Sequence, residues 1–241
     1  MTQRADMALV ARGLFPSRAK AREAIEAGLV RRDGILVTKP SEPVDEAAKI
    51  EAEAPYPWVS RGGVKLAAAL EAFGILPEGK RALDIGASTG GFADVLLSRG
   101  AAHVTCVDVG SGQLHEKIAR DPRVTAFEKF DARKLTLADL PGAPELIVCD
   151  VSFISLALVL PPVLALAGPG AEAAILIKPQ FEAGPEQVRK GFVRDALVRE
   201  KICEKIKTLV AGLGWRVLGV VPSPIHGGDG NVEFLLGARR A

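Results

Sequence analysis

The sequence predicts an α/β protein: a mostly parallel sheet of seven strands covered on both faces by helices, preceded by a small N-terminal α+β unit. Three observations carry this. From residue 82 onward, short apolar runs suited to buried strands alternate with stretches of helical periodicity, and strands separated by helices imply right-handed crossovers and a parallel sheet. The first of those runs enters Asp84-Ile-Gly86-Ala-Ser88-Thr-Gly90-Gly91-Phe92, a strand leading into a glycine turn and then a helix. The first 40 residues lack this alternation and read as two helices and a hairpin.

Apolar residues recur at helical spacing from Arg4 to Arg12 and from Ser17 to Ala27, with Ser17 as N-cap and Gly28 as the stop. Leu29 to Arg31 and Ile35 to Thr38 flank Asp33-Gly34, a dipeptide suited to the positive φ angles of a tight hairpin. Arg4, Arg18, Lys20 and Arg22 crowd this segment, Arg18 and Arg22 one helical turn apart. Such a face suits RNA phosphates; a solvated basic surface is the other reading of the same charges. Residues 41–57 turn acidic and proline-bearing, a last strand and then a linker, so the boundary falls near Pro57.

Beyond it a helical pattern runs from Arg61 to Phe73. Strands are expected at 82–85, 103–107, 123–127, 146–150, 174–178, 216–221 and 232–238, with helices near 92–98, 114–120, 155–166 and 195–213. Only the last two strands lack a helix between them; a Gly/Pro-rich loop joins them, which predicts an antiparallel final strand.

Composition narrows the classes. Of 241 residues, 48% are hydrophobic and 25% charged, enough for a core and no case for disorder. The net charge of +2 is too small to define a partner, so the position of charges matters more than their sum. Cys106, Cys149 and Cys203 lie in apolar or helical patterns and suggest neither disulfides nor zinc, so a reducing cytoplasm is expected. His103, His115 and His226 have no ligand spacing, and no metal is assigned. The N-terminus lacks a signal-peptide core, and Pro161 and Pro162 interrupt the longest apolar stretch, so no membrane association is expected.

A dinucleotide fingerprint needs a central glycine against the pyrophosphate, and Ser88 stands there instead. This disfavours a dehydrogenase. Asp84, and Asp108 closing the run His103–Val107, suit a ligand with a cationic amino-acid end and a ribose, as in S-adenosylmethionine. A glycine-rich turn without a nucleotide is the alternative. Asp131, Asp150 and Lys178 also follow apolar strands, at the sheet edge where open α/β folds gather ligands. A structural ion pair at the sheet rim is the competing reading of Asp150 and Lys178.

The run Leu14-Phe-Pro-Ser-Arg-Ala-Lys-Ala-Arg22 with Asp33-Gly34 resembles the RNA-binding domain named after ribosomal protein S-four. The remainder resembles the FtsJ-type 2′-O-ribose methyltransferases, and Ser60-Arg-Gly-Gly63, Cys149-Asp-Val-Ser-Phe-Ile-Ser155, Ile177-Lys-Pro-Gln-Phe-Glu182 and Gly230-Asn-Val-Glu-Phe-Leu235 make the whole chain similar to the TlyA family. The resemblance implies the Rossmann-like S-adenosylmethionine-dependent methyltransferase fold, with residues 1–57 as RNA-binding domain and linker and 58–241 as methyltransferase domain. It implies methylation of cytidine 2′-hydroxyls in ribosomal RNA, with ribosomal RNA or subunits as partner; the compact ends resemble the subgroup acting on large-subunit RNA, and small-subunit RNA stays open as a second target.

By the same resemblance the catalytic tetrad is Lys65, Asp150, Lys178 and Glu233. Lys178 would be the general base, Asp150 its orienting partner, Lys65 a stabiliser of the alkoxide, and Glu233 a positioning group. Local pattern alone makes Lys65 a surface helix residue and Glu233 an outward strand residue. The cofactor set is Asp84, Gly86, Ser88, Gly90, Gly91, Phe92, Asp108 and Asp131. Two readings of other classes compete: a non-catalytic RNA-binding or ribosome-assembly factor with a vestigial pocket, and a membrane-active haemolysin, a label often given to this family. Base-amine methylation is disfavoured because Asp150-Val-Ser-Phe153 lacks the proline pair, and carbon-5 methylation because no cysteine adjoins a proline.

Overall fold

The computed structural model describes residues 2–228 and 230–240, and the chain divides into two compact units, Met1–Pro57 and Trp58–Ala241. The first contains β1 (Thr2–Arg4), α1 (Ala5–Ala11), α2 (Arg18–Glu26), β2 (Val30–Arg32), β3 (Ile35–Leu36), β4 (Pro43–Asp45) and β5 (Ile50–Ala52). The Ser17 hydroxyl accepts the Lys20 N–H at 3.3 Å and caps α2. Asp33 and Gly34 take φ of 51° and 79°, as a two-residue hairpin demands, and fold β3 back on β2. Strand β1 was not predicted. Its exposed Thr-Gln-Arg has no apolar alternation, and it exists by pairing with β4, some 40 residues on. Leu9, Ile25, Val30 and Val44 fill the core of this unit.

The second unit contains α3 (Gly62–Phe73), β6 (Arg81–Ile85), α4 (Gly91–Ser98), β7 (His103–Val107), α5 (Glu116–Ala119), β8 (Val124–Phe127), β9 (Leu146–Cys149), α6 (Leu156–Ala165), β10 (Glu172–Ile177), α7 (Ala196–Gly212), β11 (Trp215–Pro222) and β12 (Phe234–Arg240). The seven strands run in the order β11-β12-β10-β9-β6-β7-β8. All neighbours from β10 to β8 are parallel, and β12 is antiparallel to β10 and β11. Alternation along each strand divides the core into two layers. Leu83 and Ile85 pack with Leu160 of α6 and Ile206 of α7, whereas Ala82 and Val104 pack with Leu66 of α3 and Leu96 of α4. The helix expected over 114–120 shortens to α5, and β12 begins one residue after Glu233. No helix among the described residues is long and apolar enough to cross a membrane.

The chain builds β6, β7 and β8 outward, then returns to place β9 on the other side of β6. At this reversal the strand ends diverge and leave a crevice. Gly86 and Asp150, which follow β6 and β9, stand at its two lips.

Candidate active site

The loop after β6 is dictated by close approach. Gly86 has φ of +80°, and a β-carbon there would lie 2.2 Å from the Asp150 carbonyl oxygen, so only glycine fits. Ser88, with φ of 47°, donates its N–H to Asp108 Oδ2 at 2.8 Å, and the Gly110 N–H reaches Oδ1 at 2.7 Å. One carboxylate thus ties the loop after β6 to the loop after β7. Gly90 caps α4 in the left-handed region with φ of 89°. Gly91 lies against Ser60, whose Oγ would stand 2.1 Å from an added β-carbon.

Two cavities meet over the switch point. The first, of about 360 Å³, brings together Lys65, Asp150, Lys178 and Glu233, with Gly86, Ser88, Gly91 and Phe92 also on its wall. The second, of about 440 Å³, runs along the ends of β6 and β7 and holds Asp108 and Asp131. Gly86, Ser88, Asp150, Ser152 and Phe153 border both. Asp131 accepts the Arg133 N–H at 3.0 Å and pairs with its guanidinium at 2.7 Å; that pairing holds the carboxyl down at about 2.

Within the first cavity the four polar residues form two ion pairs. Lys65, from α3, pairs with Glu233, and both are buried. This overturns the local reading of Lys65 as a surface residue and Glu233 as an outward strand residue. Lys178 Nζ lies 2.5 Å from Asp150 Oδ1, but off the hydrogen-bonding direction, since that oxygen has no hydrogen-bond partner. Nζ instead donates to Ser152 Oγ at 2.8 Å. Ser152 was not singled out in the sequence, although it lies within Cys149–Ser155. Glu182 accepts the Ser155 hydroxyl and the Leu156 N–H, both at 2.7 Å, and so fastens the segment after Lys178 to the start of α6.

Asp84 and Gly90 border neither cavity. Asp84, expected near the cofactor's amino-acid end or the glycine loop, lies two residues after Ala82, so its side chain faces the α3–α4 layer, where it is fully buried. Neither carboxyl oxygen has a hydrogen-bond partner. Burial first, then the negative charge of Asp150, push its pKa up to about 8, the Ala93 N–H pulling the other way by more than Asp108 adds.

Phe153, also absent from the expected site, is 89% exposed. Its φ of 63° is unusual for a bulky side chain, and its ring lies 4.9 Å from that of Phe181 at the cavity mouth.

In the N-terminal unit, Arg4, Arg18 and Arg22 converge on the buried carboxylate of Asp6, at 3.0, 2.9 and 3.2 Å. Each guanidinium remains about half exposed. Lys20 stands apart from them, donating to the Tyr56 hydroxyl at 2.7 Å. Among the described residues no group of three or more His, Cys, Asp or Glu is placed to hold a metal ion.

The fold and the polar cavity at its switch point define a unit of the S-adenosylmethionine-dependent methyltransferase class, which follows a small α+β unit in the sequence. Residues 58–240 match the FtsJ-like methyltransferase family and residues 3–50 the S4 domain. Over 239 residues the chain is 47% identical to the 16S/23S rRNA (cytidine-2′-O)-methyltransferase TlyA of Mycobacterium tuberculosis, covering 98% of this chain and 89% of that one. The chain belongs to the TlyA family. It is 40% identical to Hemolysin A of Brachyspira hyodysenteriae, over 92% of this chain and 94% of that protein. A solved structure from Streptococcus thermophilus, 40% identical, superposes with a TM-score of 0.79 over 100% of this chain and 89% of its own.

Proposed function

We propose that this protein transfers a methyl group from S-adenosylmethionine to the 2′-hydroxyl of a cytidine in ribosomal RNA, with large-subunit RNA as the first target. The observation that carries the reading is the convergence of Lys65, Asp150, Lys178 and Glu233 on one cavity that opens into a second along the glycine loop. The second cavity suits the methyl donor. Its volume of about 440 Å³ lies within the ~300–1,000 Å³ of cofactor sites; Gly86 leaves room for close backbone approach, and Asp108 is an acceptor for ribose hydroxyls. S-adenosylmethionine supplies an electrophilic methyl on a sulfonium.

A ribose hydroxyl attacks well only as its proton leaves. Lys178, in its neutral form, takes that proton on Nζ as the new oxygen–carbon bond forms, and Asp150 and Ser152 fix where Nζ points. Lys65 offers positive charge to the oxygen while charge develops on it, and Glu233 holds Lys65 in place. Phe153 presents an open ring face for the nucleobase. Asp6 holds Arg4, Arg18 and Arg22 as a fixed cationic platform for RNA phosphates.

The test is to map 2′-O-methyl nucleotides in ribosomal RNA from cells with and without this protein. A cytidine modified only in its presence is expected; identical maps, with no methyl transfer to purified subunits, would overturn the reading.

A further inference from the structure

Between the general-base candidate and α7 lies a small hairpin that the proposed chemistry does not use. Arg189 and Phe192 exchange backbone hydrogen bonds of 2.9 and 3.0 Å across Lys190 and Gly191, whose φ values of 51° and 81° make a tight two-residue turn. Arg189, Lys190 and Arg194 project from it, all exposed. None of the three is paired with a carboxylate among the described residues. The acids facing this region are Glu186 and Asp195, and Asp195 is engaged in capping α7 through the Leu197 N–H at 2.8 Å.

The turn is braced from two sides. The Asn231 side chain, only 6% exposed, donates to the Gly191 carbonyl at 3.0 Å. The Arg199 guanidinium donates to the Val193 and Arg194 carbonyls, both at 2.9 Å. Asn231 is two residues from Glu233, so the hairpin is anchored to the segment that forms one wall of the catalytic cavity. Arg189, Phe192 and Arg194 then border a cleft of about 360 Å³, and the Arg194 guanidinium lies 6.0 Å from the centre of the Phe192 ring. Unpaired cations on a braced support, with an aromatic ring among them, match the recognition of single-stranded nucleic acid.

We propose that this hairpin is a second RNA-binding element, within the methyltransferase unit itself, whose Arg189, Lys190 and Arg194 grip backbone phosphates of the strand flanking the target ribose. It rests on the reading of the cavity as an RNA 2′-O-methylation site. The hairpin holds the strand on the Glu233 side of the cavity while the hydroxyl enters it.

The experiment uses the full chain with Arg189, Lys190 and Arg194 all replaced by alanine, and a second variant with Arg189→Lys and Arg194→Lys. Binding to a large-subunit ribosomal RNA transcript is measured against salt, and kcat and KM are measured for methyl transfer to purified large and small subunits. Each lost phosphate contact removes ~0.7–0.9 from the slope of log K against log salt, so the alanine variant is expected to lose about 2. Its KM should rise about tenfold or more with kcat nearly unchanged, while the lysine variant keeps the wild-type slope. S-adenosylmethionine affinity should be the same in all three. An alanine variant with wild-type slope and KM, alongside a wild type that methylates, removes the hairpin proposal alone. A wild type that neither binds nor methylates RNA removes the hairpin proposal and the functional reading together.

Discussion

Lys65 and Glu233, 168 positions apart in the chain, form an ion pair with side chains only 7% and 3% exposed. Such a pair is costly to break, because either partner left alone is a buried, uncompensated charge. Lys65→Met or Glu233→Leu is therefore expected to destabilise the fold by about 3–5 kcal/mol in chemical denaturation. The double variant should recover most of that loss, while methyl transfer stays abolished in all three. A double variant with near-normal activity would show the pair to be scaffold alone.

The proposed reaction type rests on Lys178. Lys178→Ala should lower methyl transfer at least ~100-fold, the scale of losing a general base, without reducing S-adenosylmethionine or RNA affinity. Lys178→Arg should be nearly as damaging, since guanidinium keeps the charge but cannot give up its proton near neutrality. Single-turnover transfer to ribosomal subunits measures this; an active arginine variant would make Lys178 a positioning charge.

Asp84 makes a prediction about pH. Its pKa is about 8 in the folded protein, raised by burial first and then by Asp150 and Asp108, against about 3.9 when unfolded. Below the lower value both states hold the proton and folding is unaffected. Between the two values only the unfolded state ionises, so stability falls as pH rises, and above the upper value the penalty is complete. Asp84→Asn should show a Tm advantage over wild type that grows from pH 5 to pH 8 and then levels. A Tm difference constant across that range would mean that Asp84 is charged and satisfied when folded.

Phe153 should act in binding, with little effect on folding. Base–aromatic stacking is worth ~1–3 kcal/mol per base, so Phe153→Ala is expected to raise KM for ribosomal subunits with Tm nearly unchanged, because the side chain is exposed and alanine keeps the same left-handed backbone cost. Unaltered KM and kcat would exclude it as a base platform.

In the N-terminal unit, replacing Arg18 and Arg22 by alanine should weaken RNA binding and flatten its salt dependence. Asp6→Asn should do so too with both arginines present, since the carboxylate that draws them together is gone. An Asp6 variant with wild-type affinity and slope would mean that the arginines need no platform.

The sheet was legible because its strands are apolar on both faces and separated by helices, so Leu146–Cys149 and Glu172–Ile177 could be read locally. What failed was whatever depends on distant partners. β1 has no pattern of its own and forms only against β4. Lys65 and Glu233 look like ordinary surface residues until α3 and the segment before β12 meet. Asp84 lies in a strand that leads into the glycine loop, and the motif alone does not show that the two-residue alternation of β6 buries its side chain on the side of Ala82. Phe153 escaped because nothing in Asp150-Val-Ser-Phe153 announces a left-handed backbone.

The contact between Gly86 and the Asp150 carbonyl has a consequence for how this site can change. The loop proposed to cradle the methyl donor and the strand end proposed to aim Lys178 touch backbone to backbone, with no side chain between them to serve as an adjustable spacer. Any residue larger than hydrogen at position 86 must push the Asp150 carbonyl aside. Donor and acceptor geometry are thus a single inherited dimension: neither half can be retuned by substitution at this seam, and adaptation to a new target ribose must come from the rim.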